Sequence, residues 1–248
     1  MCLLALFFRV VPDAALVAGA NREEAYARGG EPPQLIEGRC SLVAGLDPVG
    51  KGTWFGVNQH GVFAAVTNRS KSHLPAKPRS RGLLTKDLLF CTSAKGAMDV
   101  ATRELDGNRY AGCNIICAAR DGAYVVHAGD WLRVRPLPPG LHVITASDVN
   151  DSTDKRIAHS LTWLAQRTYV NAEQCLVALQ ALCRQTGNGG PPICLRGTLG
   201  GTVSSSLLAV RNPLGNGTYL HCQGPSDSGR YADYSHLLAA LERCGRGG

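Results

Sequence analysis

The sequence predicts an α+β fold with mainly antiparallel sheets. Three observations lead there. Strand-like apolar runs dominate the first 70 residues and return between 112 and 147, a helical period of 3.6 takes over after Thr153, and strands and helices arrive in blocks rather than alternating. With 248 residues, 44% of them apolar, the chain can bury about 70% of its unfolded surface. One domain over residues 1–248 is therefore expected, with no linker long enough to divide it. A charged fraction of 18% and a mean hydropathy of -0.06 exclude disordered, collagen-like and polytopic membrane classes.

The first element is a buried strand from Cys2 to Val10, turning at Pro12-Asp13 into a second strand through AALVAGA. MCLLALFF also has signal-peptide character, but no cation precedes it, and Arg9 and Asp13 interrupt the apolar run beyond it. NREEAYARGGEPPQ, with Pro32-Pro33, reads as a loop. TWFGVNQHGVFAAVTN is a second hairpin turning at Asn58-Gln59-His60-Gly61. RSKSHLPAKPRSRG is a basic loop, and LLTKDLLF and SAKGAMDVATREL are helical by apolar spacing. GCNIICAAR, GAYVVHAG and LHVITAS are three further strands. DKRIAHSLTWLAQR puts Ile157, Leu161 and Leu164 on one helical face, and NAEQCLVALQALCRQ repeats the pattern. GTVSSSLLAV and TYLHCQG form a late hairpin around Asn216-Gly217, and ADYSHLLAALERC is a closing helix. No apolar stretch reaches the length of a membrane span.

The ten cysteines show no C-x-x-C and no paired zinc-site spacing. Cys113 and Cys117 share one strand face about 13 Å apart, too far to share a metal ion or a disulfide. Buried, reduced thiols in a cytoplasmic protein are expected. Cys2 differs by position. If Met1 is removed, the α-amine of Cys2 has a reference pKa near 7.7–8.0 and can take the thiol proton, so that one residue carries nucleophile and base. The competing reading is a small apolar residue opening a strand.

Gly45-Leu46-Asp47-Pro48-Val49-Gly50-Lys51 fits the start of a phosphate-binding loop, but Gly52 stands where Ser or Thr should ligate magnesium. The strand-like TWFGV comes after it, where a helix is needed. A turn before an edge strand is expected there instead. Asn21-Arg22-Glu23-Glu24 offers amide and guanidinium donors suited to an oxyanion or carboxylate, and the hairpin returns it alongside Cys2. Its alternative is a solvated charged turn. Arg69, Lys71, Lys77, Arg79, Arg81 and Lys86 concentrate cations in one loop, which either attracts phosphates or propionates or is simply solvated. Without interleaved aromatics or a DNA-binding motif, no nucleic-acid partner is expected. The seven histidines are scattered and no C-x-x-C-H occurs, so neither a metal nor a resident cofactor is expected.

MCLLALFF, ALVAGANREEAYAR and GTWFGVNQHGVFAAVTNRS, in this order and spacing, resemble the NRDE-type family, transport and Golgi organisation protein 2-like. The resemblance is strong over residues 1–70, fair at GCNIICAA and traceable to about residue 210. The family is similar to N-terminal nucleophile hydrolases, which implies a four-layer αββα sandwich and cleavage of a non-peptide amide. Carried over, Cys2 matches the nucleophile-like cysteine, Asn21 and Arg22 the first half of the motif, and Asn68 the asparagine expected to help bind an oxyanion, with Asn21 beside it. Arg22 is then expected to lower the thiol pKa and Glu23 to hold Arg22. Three positions depart: Glu23 stands for Asp, Asp148 for the Asn of Ser-Asn, and Val203 for the Arg of Gly-Thr-Arg. The eukaryotic members imply the alternative, a non-catalytic protein handling haem or acyl-coenzyme A, with Arg69, Lys71, Arg79 and Arg81 as ligand-binding cations.

Overall fold

The structure, a computed structural model, describes residues 2–246. Its first half runs β1 (Leu3–Phe8), β2 (Leu16–Ala25), β3 (Glu31–Ile36), β4 (Leu42–Leu46), β5 (Phe55–Asn58) and β6 (Phe63–Asn68), then α1 (Arg81–Leu88) and α2 (Ala94–Asp106). β7 (Cys113–Ala118), β8 (Ala123–Ala128), β9 (Leu132–Pro136) and β10 (Gly140–Ile144) come next, then α3 (Lys155–Ala165) and α4 (Ala172–Cys183). β11 (Gly200–Val210), β12 (Thr218–Gln223), β13 (Tyr231–Asp233) and α5 (Ser235–Arg246) complete it.

The strands pair into a six-stranded sheet, β10-β1-β2-β11-β12-β13, and a seven-stranded sheet, β3-β4-β5-β6-β7-β8-β9, antiparallel throughout. Alternation along β1 and β2 explains the order of layers. Leu4, Leu6, Phe8, Leu16 and Ala18 face Val43, Phe55, Val57 and Phe63 of the other sheet, whereas Leu3, Ala5, Phe7 and Val17 face Ile157 and Leu164 of α3 and Leu176, Leu179 and Leu182 of α4. Both faces of β1 are covered, which is why its sequence reads as a continuous apolar run. The outer face of the second sheet, with Cys113, Ile115 and Cys117, packs on α1 and α2. Helices, sheet, sheet, helices is the expected αββα sandwich, and all ten cysteines are free thiols.

Four local expectations change. NREE does not come after the second strand but continues it: β2 runs to Ala25, and Asn21, Arg22 and Glu23 are buried. Pro32-Pro33 lies in β3, an edge strand, where a missing N–H is tolerated. β9 and β13 arise from LRVRP and YAD, too short and too polar to read as strands. The turn after β4 closes through Lys51 N–H to Asp47 C=O at 2.8 Å, with Lys51 at φ 57°. It leads to β5 as expected, but β5 is interior, between β4 and β6. A Cβ on Gly52 would lie 2.1 Å from the carbonyl carbon of Gly82, so the close approach of this turn to α1 requires glycine.

Candidate active site

The register that pairs Leu3 with Asn21 sets Cys2 alongside Arg22 at the end of the central hairpin. Successive residues of β2 point to opposite faces. Asn21 and Glu23 therefore face the helix layer, and Arg22 faces the space between the sheets. The Asn21 amide donates both hydrogens, to the carbonyls of Cys183 (2.9 Å) and Ile193 (3.0 Å), so it has none left for an oxyanion. It anchors the end of α4 and the loop beyond it instead.

Arg22 donates to the Gly29 carbonyl, lies 4.2 Å from the centre of the Trp54 ring and 4.0 Å from Glu24. The Trp54 contact ties the Asn-Arg-Glu and Gly-Thr-Trp segments together in space. Glu23, expected to hold Arg22, instead makes a two-pronged ion pair with Arg156 of α3, whose second contact is 3.3 Å. The Glu23 side chain is 3% exposed and that of Arg156 13%. Arg156 also donates to Ile193 C=O at 3.1 Å.

Cys2 is half-buried. Burial pushes its thiol up and the Glu23 carboxylate pushes it further, against the backbone N–H of Glu23, which donates to the sulfur, and the positive charge of Arg22. The expected lowering by Arg22 is present, but it is outweighed. Glu23 itself is raised by burial, and Arg156 opposes that shift.

The remaining expected residues approach from the neighbouring strands. Leu4 pairs with Ile144, so the segment 145–148 after β10 lies at the Cys2 end of the sheet. Thr67 Oγ1 donates to Thr145 C=O at 2.5 Å and brings the end of β6, with exposed Asn68, to the same place. Asn68 and Glu23 share a cleft of about 630 Å³, whose walls include Thr186, Cys194 and Arg196; Cys2 is not among its described lining residues. Asp148 is held by Arg69 at 2.8 Å and by Arg133 of β9.

Three positioning groups had no clear reading in the sequence. Asn114 on β7 donates to the carbonyls of Thr145 and Ser147, both at 3.1 Å, and accepts from Arg69 and from His127 Nδ1. His127, buried beside Arg69, Arg133 and Arg135, titrates at about 3 and stays neutral. Asp154 caps α3 through the N–H groups of Arg156 and Ile157, and accepts from Thr145 Oγ1 and Ser147 Oγ. An aspartate before KRIA is a legible helix start. Its grip on the 145–147 segment, and the reach of Arg156 to a residue 133 positions earlier, are not.

The four cations expected to meet a ligand have partners inside the chain. Besides the Arg69 contacts above, Lys71 donates to Asn108 Oδ1 (2.6 Å) and Tyr110 C=O, and Arg81 donates to Gly112 C=O (2.8 Å). Arg79 pairs with Asp87 (2.6 Å), Tyr110 and Glu104, and the Asp87 contact holds its pKa above the usual guanidinium value. The basic loop is thus sewn onto the second sheet and its helices. Among the described residues there is no cluster of three or more His, Cys, Asp or Glu able to hold a metal ion, and no helix long and apolar enough to cross a membrane.

The family described as "Transport and Golgi organisation 2" matches residues 1–186. The chain is 30% identical over 157 residues to the transport and Golgi organization protein 2 homolog of Bos taurus, covering 57% of this chain and 55% of that protein. It is 31% identical over 127 residues to the Homo sapiens homolog, covering 48% and 45%. The chain spans about half the length of these curated relatives. Among solved structures, the Caenorhabditis elegans N-acylethanolamine-hydrolyzing acid amidase ortholog superposes with a TM-score of 0.60 at 13% identity, covering 83% of this chain and 92% of that one. Penicillin V acylase from Agrobacterium tumefaciens gives 0.58 at 12% identity, covering 94% and 87%. The fold is that of these N-terminal nucleophile hydrolases.

Proposed function

This chain belongs to the transport and Golgi organisation 2 family, and from that membership and its hydrolase fold we propose that it cleaves a small non-peptide amide through Cys2. The observation that carries the reading is convergence. Cys2, the 21–23 segment, Asn68 and the 145–148 segment meet at one end of the two sheets. After removal of Met1, which lies outside the described residues, the α-amine of Cys2 takes the thiol proton. The sulfur then bonds to the amide carbon, the C–N bond breaks, and the amine leaves with the proton carried by the α-ammonium. Water hydrolyses the thioester to release the acid. Asn68 donates to the oxyanion, without Asn21, and the Glu23 N–H steadies the sulfur. A thiol pushed up by burial needs such a base, because little thiolate forms unaided at neutral pH. The amidase and acylase named among the structural neighbours support an N-acyl amide as the substrate class.

The same raised thiol favours a second reading, a binding protein for acyl-coenzyme A or haem that keeps the cleft without turnover. Intact mass, then hydrolysis of a fluorogenic N-acyl amide by wild type and Cys2→Ala, separates the two. The hydrolase reading expects loss of Met1 and turnover that Cys2→Ala abolishes. Retained Met1, or equal rates in both proteins, overturns it. Saturable acyl-coenzyme A or haem binding without turnover establishes the second.

A further inference from the structure

We propose that the opposite end of the sandwich carries a second site, which binds the phosphate group of a small phosphorylated molecule. The turns joining β1 to β2, β5 to β6, β7 to β8 and β11 to β12 converge there around a cavity of about 1020 Å³. Cys2 and Arg9 bracket β1, and seven steps of extended chain put about 23 Å between them. The cavity is therefore separate from the Cys2 end of the sandwich, and its occupancy does not depend on the proposed reaction.

Three of these turns each contribute an arginine: Arg9, Arg120 and Arg211. Arg9 lies over the Phe8 ring, 4.9 Å from its centre, and donates to Arg120 C=O at 2.5 Å. Among the described residues neither Arg9 nor Arg120 has an acidic partner. Arg211 meets Asp13 at 3.4 Å and donates to Asn216 C=O at 3.1 Å, but its Nε–H is buried with no hydrogen-bond partner among the described residues. Arg211 is thus partly engaged, and Arg9 and Arg120 are the cations without an acid beside the cavity. The two acids on the wall are already engaged, Asp13 by the Ala172 N–H and Arg211, Glu242 by the Gly215 N–H.

The backbone adds a fourth observation. Arg9 has φ 51°, a region in which glycine or asparagine is at ease and arginine is not, and its N–H is tied to Ala15 C=O at 3.0 Å. An arginine is carried there at some backbone cost, with its guanidinium held at the cavity by the Phe8 ring and the Arg120 carbonyl. Guanidinium forks match phosphate oxygens better than they match a single carboxylate. The cavity is far larger than a phosphate ion, and Val11, Pro12, Pro213 and Leu214 line it with apolar surface. The occupant therefore has a partly apolar body attached to its phosphate.

Calorimetric titration of the full chain with phenyl phosphate, inorganic phosphate and phenol tests the assignment. Phenyl phosphate should saturate, bind about tenfold or more tightly than inorganic phosphate, and weaken as salt is added; phenol should not bind. Arg9→Gln/Arg120→Gln, which changes two exposed side chains, should unfold at the wild-type temperature and lose about tenfold or more in affinity. Cys2→Ala should bind as wild type does. Absence of saturable phenyl phosphate binding at millimolar concentrations overturns the site, as does unchanged affinity in the double variant. Equal affinity for inorganic phosphate overturns the organic ligand and leaves a free-ion site.

Discussion

Replacing Arg156 by Gln tests the central electrostatic feature of the candidate site. The Glu23 side chain is 3% exposed and both of its oxygens meet Arg156, so the substitution leaves a buried carboxylate without its guanidinium. Breaking a buried pair from one side costs about 3–5 kcal/mol. In a domain of this size that lowers the unfolding temperature by about 6–20 °C. The sign of the pH dependence is set by Glu23. Burial already raises its pKa from the ordinary carboxylate value and Arg156 resists the rise, so losing Arg156 raises it further. The folded variant then binds more protons than the unfolded chain above that ordinary value, and its stability falls as pH rises. Urea unfolding at about pH 7.5 and about pH 5 should therefore show the larger deficit at the higher pH. Adding Glu23→Gln to Arg156→Gln removes the buried charge and should recover most of the loss. A deficit below about 1 kcal/mol, equal deficits at both pH values, or no recovery in the double variant would refute this account.

Two further outcomes are expected. His127, held neutral with a pKa of about 3, contributes stability that is lost as pH falls through its ordinary value of 6.5, up to about 2 kcal/mol by about pH 5. His127→Gln should show a shallower loss over that interval in urea titrations, and an unchanged slope would remove His127 from the pH response. Asp148→Asn, the residue the resemblance implies there, leaves Arg69 and Arg133, 22% and 54% exposed, without their acid. Stability should change by no more than about 1 kcal/mol, and hydrolysis of an N-acyl amide should rise; an unchanged rate would exclude position 148 from the reaction.

Much of the fold was legible because it rests on local signals. The apolar run of β1, the Asn58–Gly61 turn between β5 and β6, and the periodicity of α3 and α4 declare themselves within a few residues. β9 and β13 were not legible, because each is held by its neighbour rather than by its own composition. The same divide runs through the site. Cys2, Glu23 and Asn68 were singled out by motif, and the strand register puts them at one end of the molecule. The oxyanion role expected of Asn21 is lost because both of its N–H groups are spent on Cys183 and Ile193, and Glu23 cannot hold Arg22 because adjacent strand residues point to opposite faces. Arg156, Asn114 and Arg133 carry no motif, and only the folded chain brings them to Glu23, the 145–148 segment and Asp148.

The departures from the family pattern share one physical logic. At position 23 the extra methylene carries the carboxylate about 1.5 Å further than aspartate reaches, and it meets Arg156 rather than Arg22. At position 148 a carboxylate replaces an amide where Arg69 and Arg133 supply two positive charges. Val203 is buried at the bulge where β11 passes Arg22 and Glu23, where a further unpaired guanidinium would be costly. At positions 23 and 148 each acid is thus matched by an arginine. Here the charges at 23 and 148 are answered, and on the proposed hydrolase reading the substrates to test are those suited to a site so charged.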